Sequence, residues 1–164
     1  MRLTTFSDYS LRVLMFVAAA PEGRATISQV ASAFNISEHH LVKVVHFLGR
    51  HGILLNTRGR RGGLQLARPA HAINVGELVR LTEGGDMPAE CFDKRTNTCA
   101  LAGGCRLQGM LKRAVASFYE ALAPYSVADL QAPRRLARIL PFHSASQCTA
   151  SAQSISHRVI NGVK

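Results

Sequence analysis

The chain is 164 residues long, enough for one domain or a compact module with an appended element, and 47% of it is apolar, so a packed core is expected. Twenty Lys and Arg against ten Asp and Glu give a formal charge of +10 and a pI near 10.3, which favours a polyanionic partner, nucleic acid before an anionic membrane surface. There is no apolar run of the roughly 18 residues that a membrane span requires, and no nucleophile with a positioned base, phosphate loop or carboxylate pair marks an enzyme.

Val13 to Ala20, followed by Pro21, resembles the core of a signal peptide. Asp8 and Arg12 interrupt its approach, however, and the same residues make an amphipathic helix, so a cytoplasmic, reducing setting is expected. Leu11, Leu14, Met15 and Ala18 fall at helical spacing, as do Ile27, Val30, Ala31 and Phe34, and then Leu41, Val44, Val45 and Leu48. Thr26-Ile27-Ser28-Gln29 fits a capping box at the start of the second helix. Ser37 is a good N-cap for the third, which ends at Gly52, and only Asn35 and Ile36 separate the two. Two short helices joined so tightly predict a helix-turn-helix.

Ile53-Leu54-Leu55-Asn56-Thr57 and Leu64-Gln65-Leu66-Ala67 flank the tip Arg58-Gly59-Arg60-Arg61-Gly62-Gly63. Two short apolar strands around a glycine-rich basic turn predict a hairpin wing, whose Arg58, Arg60 and Arg61 suit a minor groove or phosphates. Ser37, His39, His40 and Lys43 stand at the N-terminal end of the third helix, where base or phosphate contacts are expected; Glu38, His46 and Arg50 also lie off its apolar stripe. The fold class expected is mainly α: a winged helix-turn-helix DNA-binding module over residues 1–70.

Residues 71–132 are expected to hold a linker helix capped by Asn74 with Glu77 in its first turn, a ligand loop, and a long helix. Leu107, Met110, Leu111, Ala114, Val115, Phe118 and Leu122 give that helix an apolar stripe longer than one small wing can cover, which predicts dimerisation. Ser126 caps a last short helix ending at Leu130. Residues 133–164, basic and then small and polar, read as a poorly ordered tail; its Cys148 is not expected to act as a ligand.

The loop carries Cys91, then seven residues, Cys99, then five residues, Cys105. Three thiols are one short of a closed zinc or iron–sulfur site, so a fourth ligand must come from elsewhere, and a weakly held one is open to attack by a small molecule. Cys105 begins the long helix, where unpaired N–H groups and the dipole stabilise negative charge, and Lys94, Arg95 and Arg106 add to it. The wide, unequal spacing suits wrapping a cluster at least as well as a single ion but does not by itself separate the two; an iron–sulfur cluster is preferred, with zinc, redox thiols or unliganded cysteines as the other readings.

The opening Met1-Arg2-Leu3-Thr4-Thr5-Phe6-Ser7-Asp8-Tyr9, the wing Arg58-Gly59-Arg60-Arg61-Gly62-Gly63 and the Cys91/Cys99/Cys105 loop entering Arg106-Leu107 resemble the IscR-like winged-helix family over about residues 1–132. Asp8 points to its nitric-oxide-sensing branch, because the branch similar to IscR carries its extra ligand just after the third cysteine, where Arg106-Leu107-Gln108 here has no histidine. The resemblance implies a 4Fe–4S cluster on Cys91, Cys99 and Cys105, completed by Asp8 of the partner subunit, with 2Fe–2S as the alternative. It also implies a homodimer that represses nitric-oxide detoxification genes from double-stranded operator DNA and releases it when nitric oxide nitrosylates the cluster. The alternatives are a sensor of iron–sulfur supply or redox state in the same family, a zinc-stabilised regulator, and a small electron-transfer protein, which the basic wing disfavours.

Overall fold

The computed structural model describes residues 2–130, apart from Arg58, Arg60, Arg61, Asp86, Met87, Lys94, Ala102 and Gly103. The tail expected over residues 133–164, including Cys148, lies outside the described residues.

Helix α1 spans Thr5–Ala19 and is capped by Thr4, whose side chain accepts from the Ser7 N–H at 3.2 Å. Val13, Leu14, Phe16 and Val17 are fully buried on it, whereas Leu11, Met15 and Ala18 are only half-buried. The spacing therefore selects only part of the buried face. The reason is position: α1 packs against several other elements, so its inside face is wider than one stripe. Helix α2 spans Ile27–Phe34 behind the expected capping box, in which Thr26 and Gln29 exchange bonds of 2.8 and 3.2 Å. Asn35 then turns left-handed (φ 52, ψ 49) and ends the helix. Helix α3 spans Glu38–Arg50 and buries Leu41, Val44, Val45 and Leu48, the stripe read from its spacing.

Strands β1 (Leu54–Thr57) and β2 (Gly63–Leu66) pair antiparallel, with Leu54 opposite Leu66 and Thr57 opposite Gly63. A bridge between Ala25 and Leu64 anchors the hairpin to the residue just before the α2 cap. Gly63 is required there: its φ is +148°, and a Cβ would stand 2.8 Å from the Ala25 carbonyl oxygen. The architecture is a mainly α winged helix-turn-helix, as the sequence predicts.

Helix α4 (Val75–Thr82) is capped by Asn74, which accepts from the Glu77 N–H at 3.0 Å and donates to the Ala123 carbonyl at 2.7 Å. Helix α5 spans Arg106–Leu122. Val115 and Tyr119 pack on Val75 and Val79 in a second, smaller core. The apolar stripe of α5 thus divides, because Val115 goes inward while Leu107 and Met110 remain exposed. The last short element is a 3-10 turn, Val127–Leu130, where Asp129 accepts both the N–H and hydroxyl of Ser126, at 2.7 and 2.6 Å.

Candidate functional site

The chemistry-bearing residues occupy two places: the outer face of α3 and the segment between α4 and α5. On α3, His39, Lys43, His46 and Arg50 follow each other at helical spacing opposite the buried stripe, and all four are exposed. His40 lies on the flank facing α1, its ring 6.3 Å from Tyr9 and 6.1 Å from His39. Ser37 occupies the N-cap position, but its side chain makes no cap hydrogen bond, so the expected capping role is not filled by the hydroxyl. Backbone alone starts this helix, with the His40 and Leu41 N–H groups on the Ser37 carbonyl at 3.1 and 3.2 Å. Arg58, Arg60 and Arg61 of the expected wing tip lie outside the described residues.

Three hydrogen-bonded links order the cysteine segment. Cys91 lies in the 3-10 turn Glu90–Phe92, and its carbonyl accepts from Gln108 Nε2 at 2.9 Å, which ties it to the first turn of α5. Cys105 is the N-cap of α5, as expected. Glu90 accepts the N–H and hydroxyl of Thr98 at 2.8 and 2.6 Å, joining the neighbours of Cys91 and Cys99. The Cys99 N–H in turn donates to Asn97 Oδ1 at 2.9 Å. The Thr98 hydroxyl and then its N–H hold the Glu90 carboxyl below its ordinary value.

All three thiols are free, with Cys99 exposed and Cys91 and Cys105 partly covered. Among the described residues, no three His, Cys, Asp or Glu side chains are grouped closely enough to hold one metal ion. The described residues of the loop are tied by hydrogen bonds without being closed around a centre. As a donor set, three cysteine thiols outside any disulfide suit an iron–sulfur group. Asp8 is engaged elsewhere: Arg12 holds it by two contacts, 2.8 and 3.0 Å, one helical turn along α1. That i, i+4 pair was readable in the sequence as a helix pair but not as a competitor for Asp8.

Sequence reasoning missed Glu83 altogether. It stands at the C-cap of α4, directly before the cysteine segment, and accepts the N–H and hydroxyl of Thr4 at 2.8 and 3.0 Å. Ser7, fully buried, donates to Thr82 at 2.7 Å beside it. The start of α1 and the end of α4 are therefore clamped together. Burial raises the Glu83 carboxyl, but the Ser7 hydroxyl and the N–H and hydroxyl of Thr4 outweigh it, and the group ends below its ordinary 4.5. Thr98 and Gln108 were missed as well, since only the loop's own path pairs them with Glu90 and Cys91.

Comparison with known proteins adds to this geometry. The family model described as Rrf2, iron-dependent transcriptional regulator, matches residues 3–133. The chain is 44% identical over 131 residues to the HTH-type transcriptional regulator NsrR of Shouchella clausii, covering 79% of this chain and 88% of that protein. It is 43% identical over 141 residues to the regulator of the same name from Geobacillus kaustophilus, covering 85% and 96%. Among solved structures, CymR, the global cysteine regulator of B. subtilis, matches with a TM-score of 0.62 at 25% identity, over 79% of this chain and 95% of that one. No described helix is long and apolar enough to cross a membrane.

Proposed function

The chain belongs to the Rrf2 family of iron-dependent transcriptional regulators, and on that premise we propose that it is a nitric-oxide-responsive repressor that grips operator DNA as an iron–sulfur homodimer in the cytoplasm. One observation carries the reading: three free thiols share a segment that ends at the N-cap of α5, in a chain whose other half is a winged helix. The relatives named NsrR support the nitric-oxide branch, to which Asp8 also points.

Cys91, Cys99 and Cys105 would hold the cluster, 4Fe–4S in preference to 2Fe–2S, with Asp8 of the second subunit as fourth ligand. Such a cluster, when bound, would supply iron able to take nitric oxide. The protein's own part would be to hold the Asp8 carboxylate on the cluster or to let it go. Asp8 begins the first helix of the DNA-binding module, and Arg12 stands ready to receive its carboxylate. With Asp8 held by Arg12 instead of by the cluster, the two DNA-binding heads would lose a fixed separation, and half-site spacing is a strict geometric requirement. A coupling of about 2–3 kcal/mol changes occupancy by roughly 30–150-fold, enough for a switch. Ser37, His39, His40, Lys43, Arg58, Arg60 and Arg61 would contact the DNA.

The test is to titrate nitric oxide into anaerobically isolated protein while following operator binding. Affinity should fall in step with the change in the cluster's absorption. Operator held equally tightly before and after the cluster is stripped rejects the reading.

A further inference from the structure

A second cationic feature lies on α3, sharing Lys43 with the residues expected to meet the DNA and extending beyond them to Arg50 and His51. Phe6, Lys43, His46, Phe47, Arg50 and His51 line an open cavity of 360 Å³ between the start of α1 and the C-terminal half of α3. Its floor is aromatic: the Phe6 and Phe47 rings meet edge-on with centroids 5.1 Å apart, and the His51 ring leans on Phe47 at 4.4 Å. Its rim is cationic. Lys43, His46, Arg50 and His51 are all exposed, and no Asp or Glu is among the lining residues. Among the described residues, no carboxylate forms an ion pair with Lys43 or Arg50.

Two permanent cations and two imidazoles without a carboxylate cannot be neutralised from inside the cavity, so the chemistry that completes it is an anion. Lys and Arg stems can lie along the aromatic floor while their charged heads stay at the rim. The cavity also faces away from the proposed cluster ligand. Two residues of helix turn Asp8 about 200° from Phe6 around α1. It is instead continuous with the outer stripe of α3, sharing Lys43, His46 and Arg50 with it.

We propose that this cavity seats a backbone phosphate of duplex DNA beside the groove that α3 enters, with Arg50 and Lys43 supplying charge and His46 and His51 supplying N–H donors. The assignment deepens the DNA-binding reading and rests on it. Such a contact positions the protein without reading sequence, so it acts on any duplex.

The experiment measures binding of the anaerobically isolated full-length protein to a fluorescein-labelled mixed-sequence duplex by anisotropy, across a salt series. For Arg50→Gln the slope of log affinity against log salt should become shallower by about 0.9, the share of one phosphate, and Arg50→Lys should keep most of it. Wild-type slope and affinity in Arg50→Gln overturn the phosphate seat but leave DNA binding standing, whereas a wild type that binds no duplex removes both. A change in the monomer–dimer balance of Arg50→Gln at unaltered salt slope overturns it in favour of an acidic segment of the partner. Inorganic phosphate, titrated while the His46 and His51 ring signals are followed by NMR, covers the free-anion source. Tight binding of phosphate, with duplex binding indifferent to Arg50, also overturns it.

Discussion

Thr98 donates its N–H and its hydroxyl to one oxygen of Glu90, and those two residues stand immediately beside Cys99 and Cys91. The hydroxyl bond draws the two cysteine-bearing stretches together in an exposed loop that has little apolar burial of its own to order it. Thr98→Val keeps the shape and removes the donor. Iron and sulfide per protomer should then fall after identical anaerobic purification, while Thr98→Ser keeps wild-type loading; full loading in Thr98→Val rejects a role for the bond. Asp8 sits in a different balance. Its pair with Arg12 is about two-fifths exposed on each side and is worth only about 0.3–0.5 kcal/mol as an i, i+4 pair. Asp8→Ala should therefore fold normally yet alter the cluster's absorption and blunt its response to nitric oxide. An intact spectrum with an unchanged response counts against Asp8 as a ligand.

Between elements, the bonds from Thr4 and Ser7 to Glu83 and Thr82 join the DNA-binding module to the segment that leads into the cysteines. Because the Glu83 carboxyl is depressed in the folded chain, its contribution is present above the ordinary value of 4.5 and is lost as pH falls from there through the folded value. Glu83→Gln should narrow the drop in melting temperature between neutral pH and the acid side of that window; an equal drop in both proteins shows the clamp does not bear on stability. None of this clamp was legible beforehand, since Thr4 and Glu83 are 79 residues apart and neither stands out in composition. Local signals fared better. The capping box at Thr26, the two-residue gap Asn35-Ile36 and the strand–glycine–strand pattern each depend on near neighbours, so local signals alone located α2, α3 and the hairpin. The stripe on α1 misled because a central helix is buried on more sides than its periodicity reveals.

For the molecule as a whole, the decisive surface is the outer side of α5. Val115 and Tyr119 satisfy one face against α4, but Leu107 and Met110 keep 59% and 55% of their surface exposed, with Leu111 and Phe118 half-covered between the turns. The sequence predicted more apolar stripe than one subunit covers, and the fold leaves that remainder on the outside rather than folding it inward. A second copy related by a two-fold axis would cover the strip with its own, the arrangement that would also deliver two recognition helices to two half-sites. One substitution tests dimerisation and operator binding together. Met110→Glu places a charge on the strip without touching α3, the cysteines or the Val115–Tyr119 core. It should shift the protein toward monomer in sedimentation and weaken operator binding, while a single half-site is bound as by the wild type. A dimer that persists with Glu at this position would place the subunit contact elsewhere, and with it the route by which Asp8 could reach a partner's loop.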